Sequence, residues 1–124
     1  MGERRGNSTS IIIILMLCML VFHSKMIYGE TYIVGYDQGW HTGVINWPLG
    51  KIFYAGDILV FNYDPSKDNV VKVTESGYKT CYPRGIATYR SGADRIPLEK
   101  GGNYFISAGR GHCDFEQKIA VIAN

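Results

Sequence analysis

Long hydrophobic runs are missing from this sequence. The longest, Ile11–Phe22, has twelve residues, whereas a helix that crosses a bilayer needs about 20, so no membrane span is expected. Neither sign of charge dominates. Arg4, Arg5, Lys25 and Glu3 lie before residue 30, and ten basic and ten acidic side chains remain after it. A nucleic-acid footprint needs a clustered basic excess, so that class of partner is excluded. No segment keeps a 3.6-residue apolar period, which rules out a helical bundle. No Gly-x4-Gly-Lys-Ser/Thr phosphate loop occurs among the fifteen glycines. From residue 30 onward there is no Asn-x-Ser/Thr acceptor, although Asn7 begins one. The last apolar segment is not followed by a Pro/Ser-rich stalk or a hydrophobic tail, so no lipid anchor is expected. Repeats and low-complexity tracts are also absent.

What is present begins with a leader. Arg4 and Arg5 precede the apolar run, and Gly29 offers a small residue at a cut. This is the pattern of a secretory signal peptide, which assigns residues 1–29 to the leader and 30–124 to one mature domain. Such a domain is near the lower size limit for an unaided core. Cysteine is scarce and fits that assignment. Cys18 leaves with the leader, and Cys81 and Cys113 remain as the only pair. In an oxidising compartment the two form one disulfide; a Cys/Cys metal site is the competing reading.

Beyond residue 29 the chain alternates short β-rich runs with turn signals. Thr31–Val34, Ile58–Tyr63, Val70–Thr74, Tyr104–Ser107 and Lys118–Ile122 read as strands. Turns fall at Ala55-Gly-Asp57, Asp64-Pro-Ser66, Ser91-Gly-Ala93 and Gly101-Gly102. One or two short helices are expected, around residues 76–80 and 85–88. Strands of this length and spacing point to an all-β sandwich or small barrel.

A set of ordered motifs is more specific. Gly39-Trp40, Trp47-Pro48, Phe53-x-Ala-Gly-Asp57, Leu59-Val-Phe-Asn-Tyr63 with Asp64-Pro65, Tyr78-x-x-Cys81 and Gly111-His-Cys113 follow one another along nearly the whole mature region. The stretch Tyr104–Val121 holds Ser107, His112 and Gln117 five positions apart. Together these resemble the phytocyanins, the plant branch of the blue-copper proteins, and in particular the plantacyanin or basic blue type. The resemblance implies a Greek-key cupredoxin β-sandwich of seven or eight strands, with Cys81–Cys113 tying a loop or short helix to the copper end.

In copper-binding relatives the last loop reads Cys-x4-His-x4-Met, or Gln in place of Met. The resemblance puts the four metal-site positions at Asp68, Ser107, His112 and Gln117, where a copper protein has His, Cys, His and an axial residue. Blue copper needs two imidazoles, a thiolate and a weak axial ligand. Gln117 is compatible, since an amide oxygen can serve axially. Ser107 is not, because a serine hydroxyl stays protonated at neutral pH whereas a thiol ionises readily. Asp68 exchanges an imidazole for a hard oxygen. Copper is the family's cofactor, and none is expected here; an Asp68–His112 pair, with Lys67 or Arg110 as rival partners for Asp68, would stand in its place.

No enzyme is read from the sequence. Ser107, His112 and Asp114 only superficially suggest a hydrolase triad, with no nucleophile elbow or oxyanion hole. His41 is expected to be a surface-loop histidine. Most aromatic residues should pack in the core, with a subset near residues 36–47, 82 and 115 available as a platform for sugars or protein. The functional expectation is a secreted, apoplastic, non-redox interaction protein, similar in its ligand losses to early nodulin-like phytocyanins, with an extracellular protein or cell-wall component as partner. Two alternatives stand beside it: a plantacyanin-type copper electron carrier, and weak non-blue metal binding at Asp68, His112 and Gln117.

Overall fold

A computed structural model describes residues 10–15 and 29–124. Residues 10–15 are helical and exposed. The rest of the proposed leader, and with it Cys18, lies outside the described residues. None of the described helices is long and apolar enough to cross a membrane.

Seven strands form two sheets. The first sheet orders β1 (Thr31–Ile33), β2 (Ile58–Asn62) and β5 (Ala93–Pro97), with β1 parallel to β2 and β5 antiparallel to it. The second orders β4 (Ala87–Tyr89), β3 (Val70–Val73), β6 (Gly101–Ile106) and β7 (Lys118–Ala123), antiparallel throughout. One α-helix, α1 (Glu75–Thr80), and two single 3-10 turns, Tyr36–Gln38 and Val44–Asn46, complete the elements after residue 29.

The alternation of side chains along each strand sorts residues between the sheets and the outside. On β7 Ile119, Val121 and Ala123 are buried; on β5 Asp94 and Ile96 are. Between the sheets, Phe61 of β2 meets Phe105 of β6 edge-on, with centroids 5.1 Å apart, and Trp40 packs 5.1 Å from Phe61. Such pairs add about 0.5–1.5 kcal/mol beyond area burial. Strand β3 is buried at every position. Val70 faces the sandwich core, while Val71 and Val73 pack with Ile106 and Cys113 on the outer face of the second sheet. That outer cluster is why a four-residue strand carries three valines. Lys72, also buried, carries its ammonium to Glu99, 3.4 Å away.

Helix α1 covers the outer cluster. Thr74 caps it by accepting from the Gly77 amide at 3.2 Å, and it ends at Cys81 in the left-handed region, φ 56°. Cys81 is bonded to Cys113 across 32 positions, a closure worth about 3–4 kcal/mol in the chain-entropy account. The helix expected at 76–80 is therefore present. The stretch 85–88 is not helical and leads into β4. Ile86 N–H donates to Lys72 O at 2.7 Å, and a Cβ on Gly85 would come within 2.5 Å of Val71. The free edge of β3 captures this segment as a strand, and only glycine can approach so closely.

Strand β5 escapes sequence pattern because its buried positions are Asp94 and Ile96. Asp94 is made tolerable by its partners. It accepts from Tyr63 Oη at 2.5 Å and from Ser91 Oγ at 2.6 Å. Burial, and then the bond to Asp94, push the Tyr63 phenol up to about 12. A raised phenol favours the folded state while it is protonated in both states, so its contribution is complete below pH ~10 and disappears as pH rises toward ~12. The stability lost between pH ~10 and ~12 should therefore be smaller in Tyr63→Phe, which has no phenol to ionise. Its phenolate absorbance titration should also lack the step near pH 12; an unchanged titration would remove Tyr63 as its source.

Candidate functional site

Three chain segments meet at one end of the sandwich. The first is the β2–β3 connection. The Asp64 side chain accepts from Ser66 N–H at 2.9 Å, and its carbonyl accepts from Lys67 and Asp68 N–H. This Asx-type turn brings Asp68 to the mouth of the core. Asn69 fixes both neighbours: its side-chain oxygen accepts from Ala108 N–H and its carbonyl from Trp40 Nε1, each at 2.9 Å.

The second segment joins β6 to β7. Ser107 N–H donates to Gln117 O at 3.0 Å, closing the loop at its base. Inside it His112 N–H donates to Gly109 O and Gln117 N–H to His112 O, both at 3.0 Å. Cys113 then pins the loop to the end of α1. The third segment carries Trp40 and His41. Gly39 is required there, because at φ 67° a Cβ would come within 2.4 Å of Asn62 O.

The four positions chosen from the sequence converge. Asp68 Oδ1 is the common acceptor: His112 Nδ1 lies at 2.6 Å, Gln117 Nε2 at 3.1 Å and Ser107 Oγ at 3.2 Å. Ser107 and Gln117 are each 1% exposed. The side chains of Asp68 and His112, 16% and 32% exposed, close the opening. Trp40, His41, Thr42, Lys67 and Arg110 surround it. Among the described residues, the ion-pair partner of Asp68 is His112; Lys67 approaches Asp64 instead, at 4.0 Å.

The geometry sets the chemistry. A metal centre turns lone pairs toward a cation; here a hydroxyl and two nitrogens turn hydrogens toward an anion. His112 can make its shortest contact only with Nδ1 protonated, so that atom is neither a free ligand nor a base for Ser107. Ser107 in turn donates to Asp68, which removes the triad arrangement. For blue copper the donor set does not fit: one imidazole, no thiolate, and an amide presenting its nitrogen. Nor, among the described residues, are three His, Cys, Asp or Glu side chains grouped to hold a metal ion.

Sequence reasoning missed Asn69, which holds the three segments together, and its position next to Asp68 was the only signal. Of the expected aromatic platform, Tyr36, Tyr82 and Phe115 are exposed, whereas Trp40 and Trp47 belong to the core.

A two-sheet sandwich with its polar site between the β2–β3 and β6–β7 connections defines a protein of the cupredoxin class. Residues 38–117 match the plastocyanin-like domain family. Chemocyanin of Lilium longiflorum is 42% identical over 125 residues, 99% of each chain. Early nodulin-like protein 22 of Arabidopsis thaliana is 44% identical over 101 residues, 77% of this chain and 71% of that one. The solved structure of cucumber basic protein, a blue copper protein, matches with TM-score 0.75 and 50% identity over 77% of this chain and 100% of that chain. The chain belongs to the phytocyanin family.

Proposed function

We propose that this phytocyanin is a secreted, non-redox interaction protein whose copper position has become a hydrogen-bonded latch. One observation carries the reading: Asp68 Oδ1 gathers the side chains of Ser107, His112 and Gln117. Each ligand position is thereby engaged with another ligand position. To take up a metal, Asp68 and His112 must part and the Gln117 amide must turn over, with no thiolate gained in exchange. No catalytic role is assigned, since Ser107, the hydroxyl beside His112, is buried and committed to Asp68.

The partner on this reading is an extracellular protein or cell-wall component, and the exposed Tyr36, Tyr82 and Phe115 are the side chains suited to meet it. Support for an extracellular location comes from the leader pattern and from the Cys81–Cys113 disulfide.

Cu²⁺ titration of the secreted, disulfide-intact protein tests the central claim. The expected result is no intense blue band and weak or no heat of binding. An intense thiolate-type charge-transfer band would restore the electron-carrier reading. Tight colourless binding lost in His112→Ala would instead establish a non-blue site.

A further inference from the structure

Asp57 is 2% exposed and stands just before β2. Its Oδ2 accepts from Tyr54 N–H and its Oδ1 from Glu30 N–H, both at 2.9 Å. Among the described residues no Lys, Arg or His lies within ion-pair distance of it. A buried carboxylate with amides alone for partners is costly, and the cost falls when a cation joins it. The one atom beside Asp57 that can become a cation is the Glu30 nitrogen.

We infer that Gly29–Glu30 is the processing site and that Asp57 is the receptor for the ammonium this cut creates. The step is hydrolysis by an endopeptidase of the secretory route. Water adds across the amide, the C–N bond breaks, Gly29 keeps the carboxylate, and the Glu30 amine takes up a proton. A hydrogen bond from a neutral amide is thereby replaced by a charge-assisted one at the same place. The new terminus is then held from both sides, because Glu30 O accepts from Ile58 N–H at 2.8 Å and places β1 against β2.

Gly29 fits both roles the site demands. It is the small residue a leader peptidase accepts before the cut. It also sits so close to the Gly56–Asp57 backbone that a Cβ would lie 2.5 Å from Asp57 N and Gly56 O. The cucumber structure, aligned over its whole length, covers 77% of this chain, the share that residues 30–124 make up.

This inference rests on residues 1–29 being a leader and is independent of the loss of copper. Its test begins with the full chain expressed through a eukaryotic secretory route and the N-terminus of the secreted protein read by mass spectrometry. Glu30 is expected first. An uncleaved product would overturn the leader reading and this one together, whereas a start at any other residue would overturn this one alone. The second arm inserts one alanine between Gly29 and Glu30, so that the mature chain opens Ala-Glu30. The amide bond to Asp57 survives, but the charge moves one residue away. This form should melt lower by on the order of 5 °C. In an Asp57→Asn background the two forms should melt together. Equal melting with Asp57 intact would overturn the receptor role, without relying on the Asp57→Asn variant to fold.

Discussion

Replacing Asp68 by His and Ser107 by Cys in one chain should turn the protein blue with Cu²⁺. The double variant would present two imidazoles and a thiolate, with the Gln117 amide available axially, which is the donor set blue copper requires. Removing Asp68 also frees His112 Nδ1, now held at 2.6 Å. The positions are already gathered, since the Ser107, His112 and Gln117 polar atoms each lie within 3.2 Å of Asp68 Oδ1. Affinity should rise by well over about 100-fold, because even the outer partners of metal ligands are worth roughly 10–100-fold. Asp68→His alone should stay colourless, lacking sulfur. Ser107→Cys alone should colour weakly, because Asp68 stands where the second imidazole is needed and still holds His112. A colourless double variant under stoichiometric copper would mean that the loop around Arg110, not side-chain identity, bars the metal.

The blueprint of that site was readable because its parts lie at fixed chain spacings. Ser107, His112 and Gln117 share one loop, and Asp68 follows the Asp64-Pro65 turn that ends β2. Strands with apolar residues at every second, inward-facing position, such as β7, were readable for the same reason. Three features were hidden. The pattern at β5 is disguised because Asp94, not an apolar residue, faces inward, satisfied by Tyr63 just after β2 and by Ser91 three residues earlier. The stretch 85–88, which follows the turn-like Pro83-Arg84, runs into strand β4 and not a helix because β3 offers an unpaired edge. The direction of the hydrogen bonds in the site was not readable at all. The sequence names donors and acceptors, but only the fold shows that one carboxylate oxygen receives three of them.

That shared oxygen makes Asp68→Leu the most destabilising change expected at the site. Leucine fills much of the same space but accepts nothing. The Ser107 hydroxyl, 1% exposed, would lose its acceptor, and the Gln117 amide, equally buried, would keep only the long contact to Trp40 O at 3.4 Å. A buried polar group left without its partner costs about 1–3 kcal/mol, so the two together should cost about 2–6 kcal/mol. His112 adds little, since its ring reaches water. For a domain of this size that corresponds to a fall in Tm on the order of 10–30 °C. Asp68→Asn should be milder, about 1–2 kcal/mol, because an amide oxygen still accepts but without charge assistance. The decisive comparison is Ser107→Ala in both backgrounds, measured by urea unfolding. Alone it should destabilise, as it strips a donor from Asp68 and an acceptor from Gly109 N–H, 3.1 Å away. Added to Asp68→Leu it should cost much less or even restore stability, because removing both partners of a buried bond is cheaper than removing one. Strictly additive losses would show instead that Asp68 and Ser107 act independently, and that the latch is three separate contacts rather than one network.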